Sequence, residues 1–176
     1  MPTLGIITDT HIPQRIAALP PRVFEVFRGA DRILHAGDIN SRRVLDQLAE
    51  IAPVDAVAGN ADLFGHGLPL TRVIEVAERR IGLVHGHGGW LRYLRSKVRD
   101  QFSYAEEHYL NIVQRSFGPV DAIVFGHTHR FYQDERSGVL LFNPGPIAPD
   151  FYNTPGPQVG LLHVTARTIT SEIAAV

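Results

Sequence analysis

The chain of 176 residues contains no cysteine and has no excess of charge of either sign, with a formal net charge of −1. The absence of cysteine excludes disulfide bonds and thiolate metal sites, and it is compatible with a reducing compartment. A nearly neutral chain gives no general attraction to nucleic acid or to an anionic membrane surface. We therefore expect neither as a general partner.

Long apolar runs are also missing. No stretch approaches the roughly 18 to 20 apolar residues of a membrane span. The first residues lead directly into a predicted strand, without the charged start and apolar segment of a signal peptide. These absences predict a cytoplasmic protein. With 44% hydrophobic residues, the chain can bury one sizeable core, so we expect a single domain over residues 1–176.

Strand and helix patterns alternate in the first half of the chain. Apolar runs predict strands at residues 4–7, 32–36 and 55–58, and helical spacing predicts helices at 21–28 and 41–51. Two strands are expected within 71–84, a helix starting near Ser103, and a buried strand at 120–125. Residues 131–143 and 158–174 read as hairpins that turn at Ser137-Gly138 and Ala166-Arg167. The pattern predicts an α/β (α+β) fold.

Five short segments carry side chains that bind metals, and each follows an apolar run that reads as a buried strand. They are Asp9-Thr10-His11, Gly37-Asp38, Gly59-Asn60, His85-Gly86-His87 and Gly126-His127-Thr128-His129. Parallel α/β sheets place their sites at the strand ends, so one converging site is expected. A set of carboxylate, amide oxygen and imidazole suits Mn, Fe, Zn or similar ions better than a soft-metal or calcium site.

The spacing within two segments indicates how paired ligands could share a site. Asp9 and His11 are two residues apart, and alternate positions of an extended chain point the same way, so both could face one ion. His127 and His129 repeat this spacing and could each bind a different ion.

Asp38 and Asn60 add two kinds of oxygen. A carboxylate can bridge two cations, which a histidine cannot, and an amide oxygen fills a coordination position without adding charge. Two ions roughly 3.5 to 4 Å apart can hold a phosphoryl group and a bridging hydroxide for in-line attack. The hydroxide is available at neutral pH because a bound divalent ion can lower the water pKa to about 7.

Each signal also has a purely structural explanation when taken alone. Asp and Asn after glycine are common turn residues because their side chains bond the local backbone. Asp62 could orient Asn60 or a histidine, or simply finish a turn, and the turn is favoured. His87 could be a ligand, a substrate contact or a turn residue, whereas His35, inside an apolar strand, is interpreted as a hydrogen-bonded core histidine. The ordered series of segments favours a functional site.

These segments, together with Asn143-Pro144-Gly145, resemble those of the calcineurin-like metallophosphoesterases in order and spacing, specifically the small YfcE-like phosphodiesterase branch. The resemblance extends from Leu4 to about Ala174. It implies a β-sandwich flanked by helices, with two divalent metal ions at the strand ends. Mn is favoured, with Fe, Zn, Ni or Co as alternatives.

The resemblance also implies a ligand set for each ion. One ion would take Asp9, His11, Asp38 and His129. The other would take Asp38, Asn60, His85 and His127.

The chain departs from the broader family at three positions. Many relatives carry Gly-Asn-His, in which the histidine is thought to protonate the leaving group, whereas Ala61 stands here. Ser41 stands where a second carboxylate is often found, and Pro146 where a serine is common. The usual acid is therefore missing.

The predicted activity is that of a dinuclear metal-dependent phosphoesterase, a diesterase rather than a monoesterase, acting on a small phosphate ester or diester. A hydroxide bridging the two metals would attack phosphorus. Asp38 and Asn60 would act through the ions, and His87 would steady charge or supply the leaving-group proton. The absence of a histidine at Ala61 fits a good leaving group.

The alternative is a non-catalytic metal-binding scaffold of the same fold, acting in protein–protein interaction and similar to the small retromer subunit. The intact ligand positions favour the enzyme. A homo-oligomer is left open, because Phe131 and Tyr132, or Phe151 and Tyr152, could form either a subunit contact or a pocket wall.

Overall fold

The computed structural model describes residues 1–62, 67–88, 106–148 and 156–176. The helices in these ranges are α1 (Pro21–Val26), α2 (Arg42–Ala49) and α3 (Glu106–Gln114). The strands are β1 (Thr3–Ile7), β2 (Arg32–His35), β3 (Val54–Ala56), β4 (Thr71–Val76), β5 (Arg79–Val84), β6 (Ala122–Val124), β7 (Tyr132–Arg136), β8 (Val139–Asn143), β9 (Gln158–Val164) and β10 (Ile169–Ala175).

The strands form two five-stranded sheets. The first has the order β10-β9-β1-β2-β3, and the second has the order β4-β5-β6-β8-β7. In the first sheet β1, β2 and β3 run parallel, and β9 and β10 add an antiparallel hairpin beside β1. In the second sheet β5, β6 and β8 run parallel. The parallel strands are short and almost continuously apolar because both of their faces are buried.

Three apolar clusters show how the layers pack. Side chains from both sheets, including Ile6 and Leu34 from the first and Leu83 and Phe142 from the second, form one cluster between the sheets. A second cluster joins α1 and α2 to the other face of the first sheet. A third joins α3 to the other face of the second sheet. The fold is therefore a β-sandwich flanked by helices, as predicted.

The predicted elements are found with small shifts at their ends. The hairpins turn at Ser137-Gly138 and between Val164 and Ile169, as expected. Helix α1 ends two residues earlier than predicted: Phe27 keeps helical backbone angles, but Gly29 adopts φ +85°, which ends the helix in a turn. Ser41 stands at the N-cap of α2 with extended backbone, but its side chain makes no capping hydrogen bond.

Some of the predicted features fall outside the described residues. Ser103, the predicted start of α3, lies outside the described residues, as do Phe151 and Tyr152. Phe131 is 46% exposed, whereas the ring of Tyr132 lies against that of Phe125. Within the described ranges, no helix has the length and apolar character needed to cross a membrane.

Candidate metal centre

Parallel pairing brings the predicted site segments to one edge of each sheet. β1 and β2 are neighbours in parallel register, so Asp9 and Asp38 leave the first sheet at the same edge. β5 and β6 are parallel neighbours in the second sheet, so His85 and His127 also leave together. Because the sheets pack face to face, the two edges meet, and the predicted convergence is confirmed.

The backbone produces this convergence in a way that the sequence interpretation did not anticipate. Asp9, His11, Asp38, His127 and His129 all have positive φ, between 46° and 69°. The expectation that extended chain aligns Asp9 with His11 is therefore wrong. Left-handed backbone is uncommon for residues with a side chain, and it concentrates at functional sites where the surrounding structure enforces it.

Hydrogen bonds between the loop after β1 and the loop after β2 hold this backbone in place. The backbone N–H of Asp9 donates to the carbonyl of Gly37 at 3.0 Å, and that of His11 donates to the carbonyl of Asp38 at 3.0 Å. The turn containing Asp9 and His11 is thus fixed directly against the turn that presents Asp38.

Glycine is required where two of the loops approach the carboxylates. A Cβ atom at Gly59 would overlap Oδ1 of Asp38, and one at Gly126 would overlap the hydroxyl of Thr8 and crowd Oδ2 of Asp9. The glycines before Asn60 and His127 therefore allow close packing beside the site.

The first group of candidate ligands is Asp9, His11, Asp38 and His129, all buried, with one ligand atom from each lying within 4.8 Å of the others. Nε2 of His11 lies 3.3 Å from Nε2 of His129. Nε2 of His129 lies 3.1 Å from Oδ1 of Asp9, and this buried oxygen makes no hydrogen bond with any of the described residues. Facing ring nitrogens and a buried carboxylate oxygen without a hydrogen bond fit a divalent cation at this point.

The second group joins Asp38 to Asn60, His85 and His127. Nε2 of His85 lies 3.1 Å from Oδ1 of Asn60 and 3.3 Å from Oδ1 of Asp38. Nδ1 of His85 donates to the carbonyl of Ala36 at 2.7 Å, which turns Nε2 toward the site. The ring of His127 lies 5.1 Å from that of His85.

Two buried carboxylates and the histidines around them set the electrostatics of the site. Burial alone would raise the pKa of Asp38, but His85 offsets this and lowers it to about 2. Burial likewise opposes ionisation of Asp9, yet the surrounding histidines hold the pKa of its carboxyl well below the usual range. Burial disfavours the charged form of His85, but Asp38 and Asp9 raise its pKa to about 9. His85 is therefore protonated at neutral pH, and its proton lies where a divalent ion could bind instead.

His127 and His11 favour the neutral form. Burial is the largest influence on His127 and, with repulsion from His85, lowers its pKa to about 3. Burial also lowers the pKa of His11, against the attraction of Asp9 and Asp38. Neutral imidazole retains the lone pair that a metal requires.

His87 lies beside the second group. Its ring centre is 5.5 Å from that of His85 and 6.3 Å from that of His127. Burial, aided by repulsion from His85, lowers the pKa of His87 to about 4. The ring is therefore neutral at neutral pH, which makes it a poor proton donor to a leaving group.

Asp62 closes the predicted turn, since its backbone N–H donates to the carbonyl of Gly59 at 3.3 Å, and its side chain has a further role, which was not predicted, of holding the Asp38 loop. Its Oδ1 accepts hydrogen bonds from the backbone N–H groups of Ile39 at 3.0 Å and Asn40 at 2.8 Å, and Oδ2 accepts from Gly59 at 2.8 Å. The side chain is 6% exposed. The sequence indicated only that Asp62 follows Asn60 closely.

His35 is a hydrogen-bonded core histidine, as interpreted, and it also joins two site loops. Nδ1 accepts from the backbone N–H of Gly37 at 3.2 Å, and Nε2 lies 3.2 Å from the hydroxyl of Thr10. Thr10 stands between Asp9 and His11, so the ring connects their turn to the end of β2.

Asn143 plays a similar part on the second sheet. Its side-chain amide donates to the carbonyl of Gly126 and to the hydroxyl of Thr128, both at 3.1 Å, and its oxygen accepts from the N–H of Gly145 at 2.9 Å. The amide thus holds the loop that carries His127.

Arg15 is a site neighbour that sequence reasoning did not single out. Its Nη1 lies 3.4 Å from Nδ1 of His129, while the residue is exposed at the rim. Its backbone N–H donates to the carbonyl of His11 at 2.8 Å. This places a positive charge at the mouth of the site.

Comparisons with known proteins agree with this geometry. The family model for the calcineurin-like phosphoesterase superfamily domain matches residues 3–167. A probable metallophosphoesterase of Methanothermobacter thermautotrophicus is 33% identical over 97% of this chain and 90% of its own. A probable metallophosphoesterase of Methanocaldococcus jannaschii is 35% identical over 83% of this chain and 69% of its own. Vps29 of Entamoeba histolytica, solved in complex with Zn²⁺, superposes with a TM-score of 0.74 and 25% identity over 98% of both chains.

Proposed function

Since this chain belongs to the calcineurin-like phosphoesterase superfamily, we propose that it is a dinuclear metal-dependent phosphoesterase that prefers small diesters. The position of Asp38 carries the proposal. Its Oδ2 lies 3.5 Å from Nε2 of His11, in the first group, and its Oδ1 lies 3.3 Å from Nε2 of His85, in the second. One carboxylate therefore faces both groups, as a bridging ligand must.

We assign one ion to Asp9, His11, Asp38 and His129, and the other to Asp38, Asn60, His85 and His127. When bound, two divalent ions neutralise phosphate charge and activate water. Oxygen and imidazole donors favour Mn, with Fe, Zn, Ni and Co as alternatives. The Zn²⁺ complex of the E. histolytica protein supports a divalent occupant.

The protein's own groups prepare the site in three ways. The hydrogen bond from His85 Nδ1 to Ala36 directs Nε2 inward. Burial of Asp9 and Asp38 limits competition from bulk water. The guanidinium of Arg15 at the rim can meet a phosphoryl oxygen, because its fork of N–H donors matches phosphate geometry.

The diester preference follows from the resemblance of the motifs to the small phosphodiesterase branch, and the residues of the site bear on the leaving group. Ala61 supplies no acid beside Asn60, and His87 is neutral at neutral pH because its pKa is lowered to about 4, mainly by burial. We therefore assign His87 a hydrogen bond to substrate rather than proton transfer. An ester whose leaving group is a stable oxyanion, such as an aryl or nucleoside oxide, requires the least protonation.

Metal reconstitution tests the proposal. Protein stripped with a chelator should recover up to two ions per chain, and added Mn²⁺ should restore hydrolysis of bis(4-nitrophenyl) phosphate more strongly than of 4-nitrophenyl phosphate. Chelated protein and Asp38→Asn are the controls. If no metal binds, and Mn, Zn, Fe, Co and Ni all fail to give activity, the proposal is wrong.

A second candidate is a non-catalytic metal-binding scaffold that acts in protein–protein interaction. The likeness to Vps29 and the alanine at position 61 support it. Full metal occupancy without hydrolysis of monoesters, linear diesters or cyclic nucleotides would favour this alternative. Cytoplasmic location and homo-oligomer formation stay predictions.

A further inference from the structure

A groove with a volume of about 250 Å³ lies between the β4–β5 hairpin and α3 and opens beside His87. Its walls include the side chains of Leu70, Val84, Ile112 and Arg115. Apart from His87, none of these residues has a part in the metal centre.

We propose that this groove binds the organic group of the phosphate ester, and that this group combines an apolar, ring-sized body with a second anionic group. The inference rests on the proposed function, because the metal centre is taken to hold the phosphate. It adds a substrate class that the metal centre alone does not specify.

The connection to the metal centre is made by His87. The same ring lines the groove and lies 6.3 Å from the ring of His127 and 5.5 Å from that of His85. The groove therefore begins at a ring that borders the second ligand group, beside the position expected for the organic group of a phosphate ester held at the metals.

The size and lining of the groove define the body of this group. Pockets for drug-sized ligands have volumes of roughly 300 to 1,000 Å³, so a smaller groove accommodates one ring rather than a long chain. Val84 and Ile112 are buried, whereas Leu70 is 56% exposed and is available for contact. Covering exposed apolar surface favours binding of an apolar body.

The charge requirement comes from Arg115. This arginine is exposed on the groove wall, and no carboxylate of the described residues forms an ion pair with it. By contrast Arg136, on β7 at the opposite edge of the sheet from β4, is held by Glu107 at 2.6 Å and by Asp134 at 3.1 Å. An arginine without such a partner suits a carboxylate or phosphate on the ligand.

Calorimetry with two phosphonates that cannot be hydrolysed tests the inference independently of catalysis. Benzylphosphonate and 4-carboxybenzylphosphonate differ only by the second anionic group. Metal-loaded wild-type protein should bind the carboxylated compound about tenfold more tightly. Arg115→Gln should abolish this preference and leave the affinity for benzylphosphonate unchanged, whereas Arg43→Gln, on the exposed face of α2, should preserve it.

A second variant tests the location of the ring. Thr71 is exposed on the groove wall, and Thr71→Trp should weaken both phosphonates at least tenfold while leaving inorganic phosphate unaffected. Equal affinity of the two phosphonates in the wild type, a preference that survives Arg115→Gln, or no binding of either would overturn the inference. Loss of hydrolysis with the phosphonate preference retained would instead count against the proposed function alone.

Discussion

Replacing Asp62 with alanine removes the acceptor of three hydrogen bonds from backbone N–H groups. Those of Ile39, Asn40 and Gly59 donate to its carboxylate at 3.0, 2.8 and 2.8 Å. They belong to the loops that present Asp38 and Asn60. The substitution therefore leaves every proposed metal ligand in place while removing what holds two of them.

The structure sets the expected loss in the free energy of unfolding. A buried donor left without an acceptor costs roughly 1 to 3 kcal/mol. Three such donors, with some access to water at the partly buried Asn40, give a loss of about 3 to 6 kcal/mol, a large part of the 5 to 15 kcal/mol typical of a folded protein. Asp62→Asn keeps one acceptor oxygen but turns an NH₂ group toward a donor, so about 1 to 3 kcal/mol is expected.

Urea unfolding of the chelated protein measures this free energy, and calorimetry with Mn²⁺ measures metal affinity, which should fall about 10- to 100-fold in Asp62→Ala. If Asp62→Ala does not fold, Asp62→Asn supplies both measurements. Asp46→Ala is the matched control, because Asp46 is exposed on α2 and lies 3.9 Å from Arg42, so less than about 0.5 kcal/mol should change. A loss below about 1 kcal/mol in Asp62→Ala, with unchanged metal affinity, would refute the reasoning.

Three further predictions concern single positions. Asp38→Asn should lower turnover by several orders of magnitude in steady-state assays, because both ions lose a ligand. Retained activity in this variant would rule out the bridging role of Asp38. Asn60→Ala should instead lower the metal stoichiometry toward one ion per chain. Rates on aryl diesters should depend steeply on leaving-group pKa, and Ala61→His should flatten that dependence. His87→Ala should not steepen it, because the His87 ring is neutral. Burial lowers the pKa of His35 from 6.5 to about 4. As the pH falls through this range, His35 is protonated in the unfolded state but not in the folded state, so the free energy of unfolding should fall by up to about 3 kcal/mol. Urea unfolding of chelated protein at pH 7 and pH 4.5 measures this loss, and an equal loss in His35→Gln would assign it to other groups.

Much of the architecture could be read from local patterns. Short apolar runs followed by Asp9, Asp38, His85 and His127 predicted parallel strands whose ends carry the site, and both sheets have this arrangement. The prediction succeeded because buried parallel strands need continuous apolar sequence, and because strands that run in the same direction end at the same edge.

The class of metal expected at the site was also predicted from residue types. Carboxylate, amide oxygen and imidazole, without thiol, restrict the metals whatever the exact geometry. The helix ends were less predictable: α1 gives way to a turn after Val26, in which Phe27 is buried in the core and Gly29 has positive φ. Tertiary packing outweighs the weak preference of a single residue for a helix.

Tertiary structure alone decided how the ligands are held and charged. The left-handed turns at Asp9 and Asp38 depend on hydrogen bonds between loops that follow different strands, and the bond from Ile39 to Asp62 spans 23 residues. The lowered pKa of His87 depends on its burial and on the charge of His85 nearby. Local sequence determines which side chains leave each strand, but long-range packing determines their surroundings, and hydrogen bonding, pKa and strain all depend on those surroundings.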